Sequence, residues 1–277
     1  MLDLILDVAK NDERIRAVIL VGSRANSDVP KDEYQDYDIT YFVNDIKPFY
    51  NHPIWIKETF GESLIMQMPE AMRHPDGGGH FNYMMIFPDG NRLDLTFDDK
   101  AYVDTGEPAV ILLDKDNGTG LIPSEIKIDP SFWHIKKPTL LYFTSCCNNF
   151  WWCLNNVAKG IARDELSYVM SMLNDVVRGE FHLMIEWYIG TLHGFNLSAG
   201  KDGKYFKKYL PESLYKRFVS TYSDGDYNNI WNSIFIMCDL FHELSIQVAD
   251  QFDFVYNTEE EAGMRTYLKM VSNRGLV

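Results

Sequence analysis

The pattern of apolar and polar positions divides the chain into two parts with different periods. Up to about residue 130, short runs rich in β-branched residues alternate with turn residues, which is typical of strands. Beyond that point, apolar positions recur every three or four residues, which is typical of helices with one buried face. We therefore predict an α+β protein, with a mixed sheet and helices over residues 1–135 and an all-α helical bundle over residues 136–277.

The first part predicts one helix and four or five strands. "MLDLILDVAK" places its apolar residues on one side of a helix, and "RIRAVILVG", "DYDITYFV" and "AVILLD" are apolar runs of strand length. "HFNYMMIFPDGNRLDLTF" predicts a hairpin that turns at "PDG". The preceding "HPDGGGH", residues 74–80, is expected to be a flexible loop.

The second part predicts several amphipathic helices. The segment 163–194 predicts one long helix that bends near Gly179. Within it, Arg178 follows Asp175 by three residues, which predicts an intrahelical ion pair. His182 and Glu186 are spaced like a metal-binding pair, but this spacing is more typical of a surface contact.

Composition and charge narrow the class of protein. The chain of 277 residues has a formal net charge of −14, which disfavours binding to nucleic acid and to anionic membranes. No apolar run is long enough to span a membrane, and the acidic N-terminal helix is unlike a secretory signal. The four cysteines lack zinc or disulfide spacing, so buried free thiols and a cytoplasmic protein are expected. For assembly, we expect a monomer or a weak homo-oligomer.

Two aspartates stand at the mouth of a predicted strand. Asp36 and Asp38 are two residues apart, so their side chains point to the same face, while Tyr37 points to the other. Two neighbouring carboxylates repel each other unless a cation neutralises them, and hard oxygen ligands suit Mg²⁺. Taken alone, however, an Asp-x-Asp pattern is more typical of a solvated strand end.

Two further features favour a site at this position. Gly22 and Ser23 follow a buried strand, where exposed amides and a hydroxyl can hold phosphate oxygens, and Arg24 adds a forked cation. Asp94 lies in the middle of a later predicted strand, on the face opposite to Leu93 and Leu95. A carboxylate there is expected beside Asp36 and Asp38.

The order Gly-Ser, twelve residues, Asp-x-Asp and a later strand acid resembles the nucleotidyltransferase superfamily of polymerase β type. Longer stretches are similar to the bacterial aminoglycoside 6-adenylyltransferases, which modify streptomycin. They extend through both halves and include "DERIRAVILVGSRAN", "VPKDEYQDYDITYFV", "FPDGNRLDLT" and "CCNNFWWCLNNVAKGIARDEL".

This resemblance implies an enzyme that transfers AMP from ATP to a hydroxyl group of a polycationic aminoglycoside. It implies that Gly22, Ser23 and Arg24 hold the phosphates, and that Asp36, Asp38 and Asp94 bind Mg²⁺. Asp94 is also expected to be the general base because of its position on the shared face. Lys159 is a candidate phosphate contact from the helical half, although a solvated lysine at a helix end explains it equally well.

Two alternatives remain open at this stage. The same chemistry could act on another acceptor, such as a different aminoglycoside, a lincosamide or a protein hydroxyl. A catalytically silent nucleotide-binding regulatory module could also use this fold, although it would have no use for Asp94.

Overall fold

The protein is described by a computed structural model that covers residues 1–27, 29–72 and 79–274. The chain forms two compact units, Met1–Phe132 and Trp133–Val277. The boundary predicted between residues 135 and 136 remains a prediction of domain organisation. Residues 73–78, which include most of the loop predicted at 74–80, lie outside the described residues.

The first unit is built on a mixed sheet. Its described residues form six strands in the order β3-β4-β5-β2-β1-β6. Strands β2 and β5 pair in parallel, whereas the other neighbouring strands pair antiparallel. The strands are β1 (Ile15–Val21), β2 (Tyr37–Val43), β3 (Ile65–Gln67), β4 (His80–Ile86), β5 (Arg92–Asp98) and β6 (Ala109–Asp114).

Four α-helices accompany this sheet in the described part of the first unit, together with a short 3₁₀ helix at Lys47–Phe49. They are α1 (Leu2–Asn11), the single turn α2 (Gly22–Ala25), α3 (Pro53–Phe60) and the single turn α4 (Pro69–Met72). The N-terminal helix, the hairpin and the main strands confirm the sequence prediction. Strand β3 and helix α3 were not predicted, since both are short and have no clear period.

One face of the sheet carries the larger apolar core of this unit. Leu93, Leu95 and Phe97 of β5 are fully buried in it, as their alternation predicted. Helix α1 adds Ile5, whose carbonyl oxygen accepts a hydrogen bond of 2.5 Å from the buried Tyr41 hydroxyl. Because side chains alternate along a strand, the intervening positions of β2 and β5 lie on the opposite face of the sheet.

The second unit is helical throughout its regular elements, so the predicted α+β class is confirmed. None of the helices in the described segments is long and apolar enough to span a lipid bilayer. The helices are α5 (Leu140–Ala162), α6 (Leu166–Ser171), α7 (Arg178–His193), α8 (Phe206–Tyr209), α9 (Glu212–Val219), α10 (Tyr227–Phe252) and α11 (Thr258–Ser272).

The long helix predicted over residues 163–194 is interrupted. Helices α6 and α7 are joined by a π-helical turn over Met172–Val177, just before the bend predicted at Gly179. A π-turn inserts one extra residue per turn and locally widens the helix. The irregularity of this segment is therefore a π-helical turn that ends two residues before Gly179.

The intrahelical ion pair predicted for Arg178 is wrong. The side chain is buried, donates to the hydroxyl and carbonyl oxygens of Thr221, and lies over the Tyr222 ring at 3.8 Å. Asp175 instead accepts a hydrogen bond from Ser171 at 2.6 Å. Burial makes a fixed set of hydrogen bonds more favourable for the guanidinium than a solvated pair on the helix surface.

The surface contact predicted for His182 and Glu186 is also wrong. The His182 ring packs against Phe206 and Phe218, and its Nε2 atom is buried without a hydrogen-bond partner among the described residues. Burial lowers the pKa of His182 to about 4 and raises the pKa of Glu186 to about 7. Both side chains are therefore partly buried in the helical unit.

Adjacent tryptophans on α5 give a direct test of this core. Trp151 is buried, stacks edge-on against Phe241, and donates from its indole to the Tyr256 hydroxyl at 2.8 Å, whereas Trp152 is 66% exposed. We expect Trp151→Ala to lower the free energy of unfolding by about 3–5 kcal/mol and Trp152→Ala by less than about 0.5 kcal/mol. Urea denaturation followed by circular dichroism measures both, and equal losses would contradict the described packing.

Candidate active site

The predicted acids come together on the polar face of the sheet. Asp38 is opposite Asp94 in the parallel β2–β5 pair, and Val21 is opposite Asp38 on the other side. Asp36 directly precedes β2, so it continues the same alternation. We call Asp36, Asp38 and Asp94 the acid cluster, because each interacts electrostatically with another member or with a cation that they share.

Gly22 brings the end of β1 against this cluster. Its φ of +74° is a conformation that a side chain disfavours, and a Cβ atom there would lie 2.3 Å from Asp38 Oδ2. Only glycine therefore allows the backbone to approach the carboxylate so closely. Ser23 and Arg24 follow in the single turn α2, so the Gly-Ser turn and the acids predicted to act together are adjacent.

Arg92 is the cation within this cluster. Its guanidinium grips Asp94 with two hydrogen bonds, Nε to Oδ1 at 2.9 Å and Nη2 to Oδ2 at 2.6 Å. Its Nη1 atom lies 3.4 Å from Asp36 Oδ2. Arg92 and Asp94 are two residues apart on β5, so alternation puts both on one face, but no motif in the sequence assigns Arg92 a role.

Asp38 has a raised carboxyl pKa. Its carboxyl pKa is raised to about 6, first because burial disfavours the charged form and then because Asp94 and Asp36 add negative charge nearby. The positive charge of Arg92 lowers the pKa of Asp38, and the negative charge of Glu107 raises it further. Glu107 was missed by the sequence analysis, because it approaches Asp38 only through the pairing of β6 with β1.

Arg24 binds backbone rather than solvent. It donates to the carbonyl oxygens of Gln35, at 2.7 Å, and Asp36, at 3.0 Å, and it lies over the Tyr37 ring at 3.8 Å. The Gln35 side chain returns a hydrogen bond to the carbonyl oxygen of Ser23 at 3.2 Å. These contacts join the Gly-Ser turn to the start of β2 and hold Asp36 in place. A phosphate contact by Arg24 remains a prediction.

Lys159 belongs to the other compact unit. It lies in the last turn of α5, and its ammonium group has no hydrogen bond or ion pair with another residue in the described part of the chain. Its predicted contact with phosphate remains a prediction.

The donor set of the acid cluster fits a divalent cation by its chemistry. Three carboxylates on one sheet face offer hard oxygen ligands. The pKa of Asp38 is raised first by burial and then by the charges of Asp94 and Asp36, and a bound cation would offset both effects. In the present side-chain arrangement, however, no three His, Cys, Asp or Glu residues of the described chain converge closely enough to hold a metal ion. Both oxygens of Asp94 are bound to Arg92.

A Gly-Ser turn beside paired acids on a mixed sheet is the arrangement expected of a nucleotidyltransferase, and comparison with known proteins identifies the family. Residues 1–271 match the streptomycin adenylyltransferase family. The chain is 41% identical to the aminoglycoside 6-adenylyltransferase of Campylobacter jejuni, over 94% of this chain and 90% of the relative. It is 39% identical to the enzyme of the same name from Bacillus subtilis strain 168, over 94% and 93%.

A solved structure agrees with these matches. The crystal structure of an aminoglycoside 6-adenyltransferase from Bacillus subtilis aligns with a TM-score of 0.50 and 35% identity, covering 98% of this chain and 97% of the other. The chain therefore belongs to the streptomycin adenylyltransferase family and is a nucleotidyltransferase enzyme.

The contact between Gly22 and Asp38 predicts the effect of a single methyl group. Gly22→Ala places a Cβ atom within 2.3 Å of Asp38 Oδ2, so either the turn or the carboxylate must move. We expect nucleotide affinity, measured by isothermal titration calorimetry, to fall at least about tenfold, since a shift of about 1 Å in such a site has large effects.

Gly194→Ala is the matched control. Gly194 caps α7 with a similar φ of +67°, but a Cβ atom there would meet only Asn196 Nδ2 at an ordinary 3.5 Å. This variant introduces the same backbone strain without a steric clash, so its nucleotide affinity should equal that of the wild type. Equal losses in both variants would mean that strain, and not the approach to Asp38, is responsible.

The raised pKa of Asp38 predicts a pH-dependent stability. Because the folded carboxyl binds a proton at a higher pH than in the unfolded chain, its destabilising effect should fade as the pH falls through about 6. In buffer with a chelator, Asp38→Asn should therefore unfold at higher urea concentration than the wild type at pH 8, and the difference should shrink toward pH 4. The exposed Asp250→Asn serves as control and should show no such trend. An Asp38→Asn variant that is less stable than the wild type at pH 8 would contradict the charge crowding.

Proposed function

We propose that this enzyme transfers AMP from ATP to a hydroxyl group of an aminoglycoside, most specifically the 6-position of streptomycin, with release of pyrophosphate and dependence on Mg²⁺. The activity named for the relatives from Campylobacter jejuni and Bacillus subtilis supports the acceptor class and the position. A cytoplasmic location is part of the proposal and agrees with four free, buried cysteines.

One observation carries the chemical part of the proposal: the backbone of Gly22 lies directly against the Asp38 carboxylate, which is itself opposite Asp94. A triphosphate held by the amides and hydroxyl of Gly22 and Ser23 would thus lie beside the acid cluster. The triphosphate, the metal ion that neutralises it and the general base would then be neighbours without a long-range movement of the chain.

Each side chain has a distinct part in the proposed reaction. Gly22 and Ser23 bind and orient the phosphates for attack on the α-phosphorus. Asp36, Asp38 and Asp94 would hold Mg²⁺, which supplies neutralisation of the charge on the triphosphate and the leaving pyrophosphate. Arg24 supports this arrangement by fixing the carbonyl group of Asp36.

Asp94 is the proposed general base. An alcohol is a weak nucleophile at neutral pH, so a carboxylate that accepts its proton during attack accelerates the reaction. Asp94 lies in mid-strand, where the β5 hydrogen bonds to both neighbours keep its position constant. Its side chain is 21% exposed, so an acceptor hydroxyl can reach it from solvent.

The acidity of the chain suits a cationic acceptor. A net charge of −14 raises the local concentration of polycations and favours their association. This long-range effect does not identify the acceptor pocket, and we assign no acceptor-binding residue on that ground.

The decisive experiment combines streptomycin, ATP and Mg²⁺ with the wild type and Asp94→Asn. We expect stoichiometric pyrophosphate and adenylylated streptomycin from the wild type. In Asp94→Asn, kcat should fall at least about 100-fold, the usual contribution of a general base, with ATP still bound.

Asp98→Asn is the matched control, because Asp98 ends the same strand four residues further along. It should retain kcat within about twofold of the wild type. Transfer to another aminoglycoside, a lincosamide or a protein hydroxyl but not to streptomycin would replace the proposed acceptor. ATP binding without pyrophosphate release for any acceptor would replace the enzyme by a silent nucleotide-binding module.

A further inference from the structure

We propose that Arg92 is a displaceable counter-cation of the acid cluster, a positioning residue that holds Asp94 and must release it before Asp94 can bind a divalent cation or accept a proton. This inference rests on the proposed function only for the role of the acid cluster. It adds a residue that competes directly with the metal ion.

The contacts of Arg92 occupy the oxygen atoms that a metal ion needs. The guanidinium binds both oxygens of Asp94, at 2.9 and 2.6 Å, and also approaches Asp36 Oδ2 at 3.4 Å. One planar cation therefore bridges Asp94 of β5 and Asp36, the residue before β2. A divalent ion ligated by the same acids would compete for these oxygen atoms and be repelled by the guanidinium charge, so the two cations disfavour each other.

The surroundings of Arg92 allow it to leave. Its side chain is 39% exposed and that of Asp36 is 35% exposed, so the ion pair lies at the solvent edge. Arg92 is the first residue of β5, and its neighbour Leu93 is the one that fills the core. Release therefore needs rotation about side-chain bonds and leaves the sheet and its core intact.

Competition couples the release of Arg92 to the binding of the metal ion. A partly exposed ion pair is weak, whereas a divalent ion attracts three carboxylates at once, so the metal ion displaces the guanidinium. By linkage, whatever stabilises Arg92 on Asp94 weakens metal binding by the same factor. Arg92 thus keeps the crowded acids compensated until Mg²⁺ and ATP arrive, and it lowers the affinity for the metal ion alone.

This coupling predicts the sign of a mutational effect. In Arg92→Gln, the competitor is removed, so Mn²⁺, used as a spectroscopic substitute for Mg²⁺, should bind about three- to tenfold more tightly. Electron paramagnetic resonance measures free Mn²⁺ in the absence of any turnover, both without nucleotide and with α,β-methylene-ATP. Arg92→Lys keeps the charge but loses the fork, so its affinity should lie between those of the wild type and Arg92→Gln.

Arg14→Gln is a closely matched control. Arg14 makes the same type of forked pair with an aspartate two residues away, Nε to Asp12 Oδ1 at 2.9 Å and Nη2 to Oδ2 at 2.5 Å, but outside the acid cluster. Its loss should leave Mn²⁺ affinity unchanged. Placing Arg92→Gln on an Asp94→Asn background should remove most of the gain, because the competition acts through Asp94.

The outcomes separate this inference from the proposed function. Unchanged or weaker Mn²⁺ binding in Arg92→Gln, with a native circular dichroism spectrum, overturns the competition and makes Arg92 a purely structural partner of Asp94. If neither the wild type nor Arg92→Gln binds Mn²⁺ even with the nucleotide analogue, both the metal role of the acid cluster and this inference fail. Tighter binding that persists fully on the Asp94→Asn background also overturns it.

Discussion

The parallel pairing of β2 with β5 sets the carboxylates of Asp38 and Asp94 side by side. The neighbouring contacts of the first unit position these two acids and partly compensate their charge. Asp38 and Asp94 are in register on one face, Asp36 continues the row, and the backbone of Gly22 closes against Asp38 from β1. Burial disfavours the charged form of Asp38, and the like charges of Asp94 and Asp36 add repulsion, so the pKa of Asp38 rises to about 6. The opposite face of the sheet supplies the large apolar core that favours folding despite this repulsion.

Two arginines stabilise the crowded face in different ways. Arg24 donates to backbone carbonyl groups and stacks on Tyr37, so it fixes the loop that delivers Asp36. Arg92 binds the carboxylates themselves and bridges Asp36 to Asp94. The first arginine can stay in place while a ligand binds, whereas the second occupies the same oxygen atoms as a divalent cation. A site that keeps repelling acids together sacrifices stability for function, as many active sites do.

In the helical unit, several buried polar groups find partners inside the core, although His182 Nε2 finds none within the part of the chain that the structure describes. Trp151 donates to Tyr256, whose hydroxyl donates to the buried Glu261 at 3.0 Å, and Arg265 binds the other oxygen of Glu261 at 2.6 Å. Arg178 is satisfied in the same manner by Thr221. These networks tie α11 and the segment after α9 to the central helices, and they specify one packing where apolar contacts alone would allow several.

Most of the fold was predictable because its signals are local. The period of apolar positions distinguishes strands from helices, and "PDG" marks the hairpin between β4 and β5 within a few residues. Short elements such as β3 and α3 escaped, since three to eight residues carry too few periods. The environment of Arg178 escaped for a different reason: its partner Thr221 is 43 residues away, and sequence spacing favours the nearer Asp175.

The candidate site also combines features set by local sequence with features set by long-range contacts. By itself, the sequence determined which residues could share a face, because alternation along a strand is a property of the backbone: Asp36 with Asp38, and Arg92 with Asp94. Only the tertiary structure decided that these two pairs are neighbours, that Gly22 lies against Asp38, that Glu107 adds its charge, and that Arg92 bridges the acids. These relations depend on strand order and register, which arise from the packing of the whole sheet and leave no mark in any short stretch of sequence.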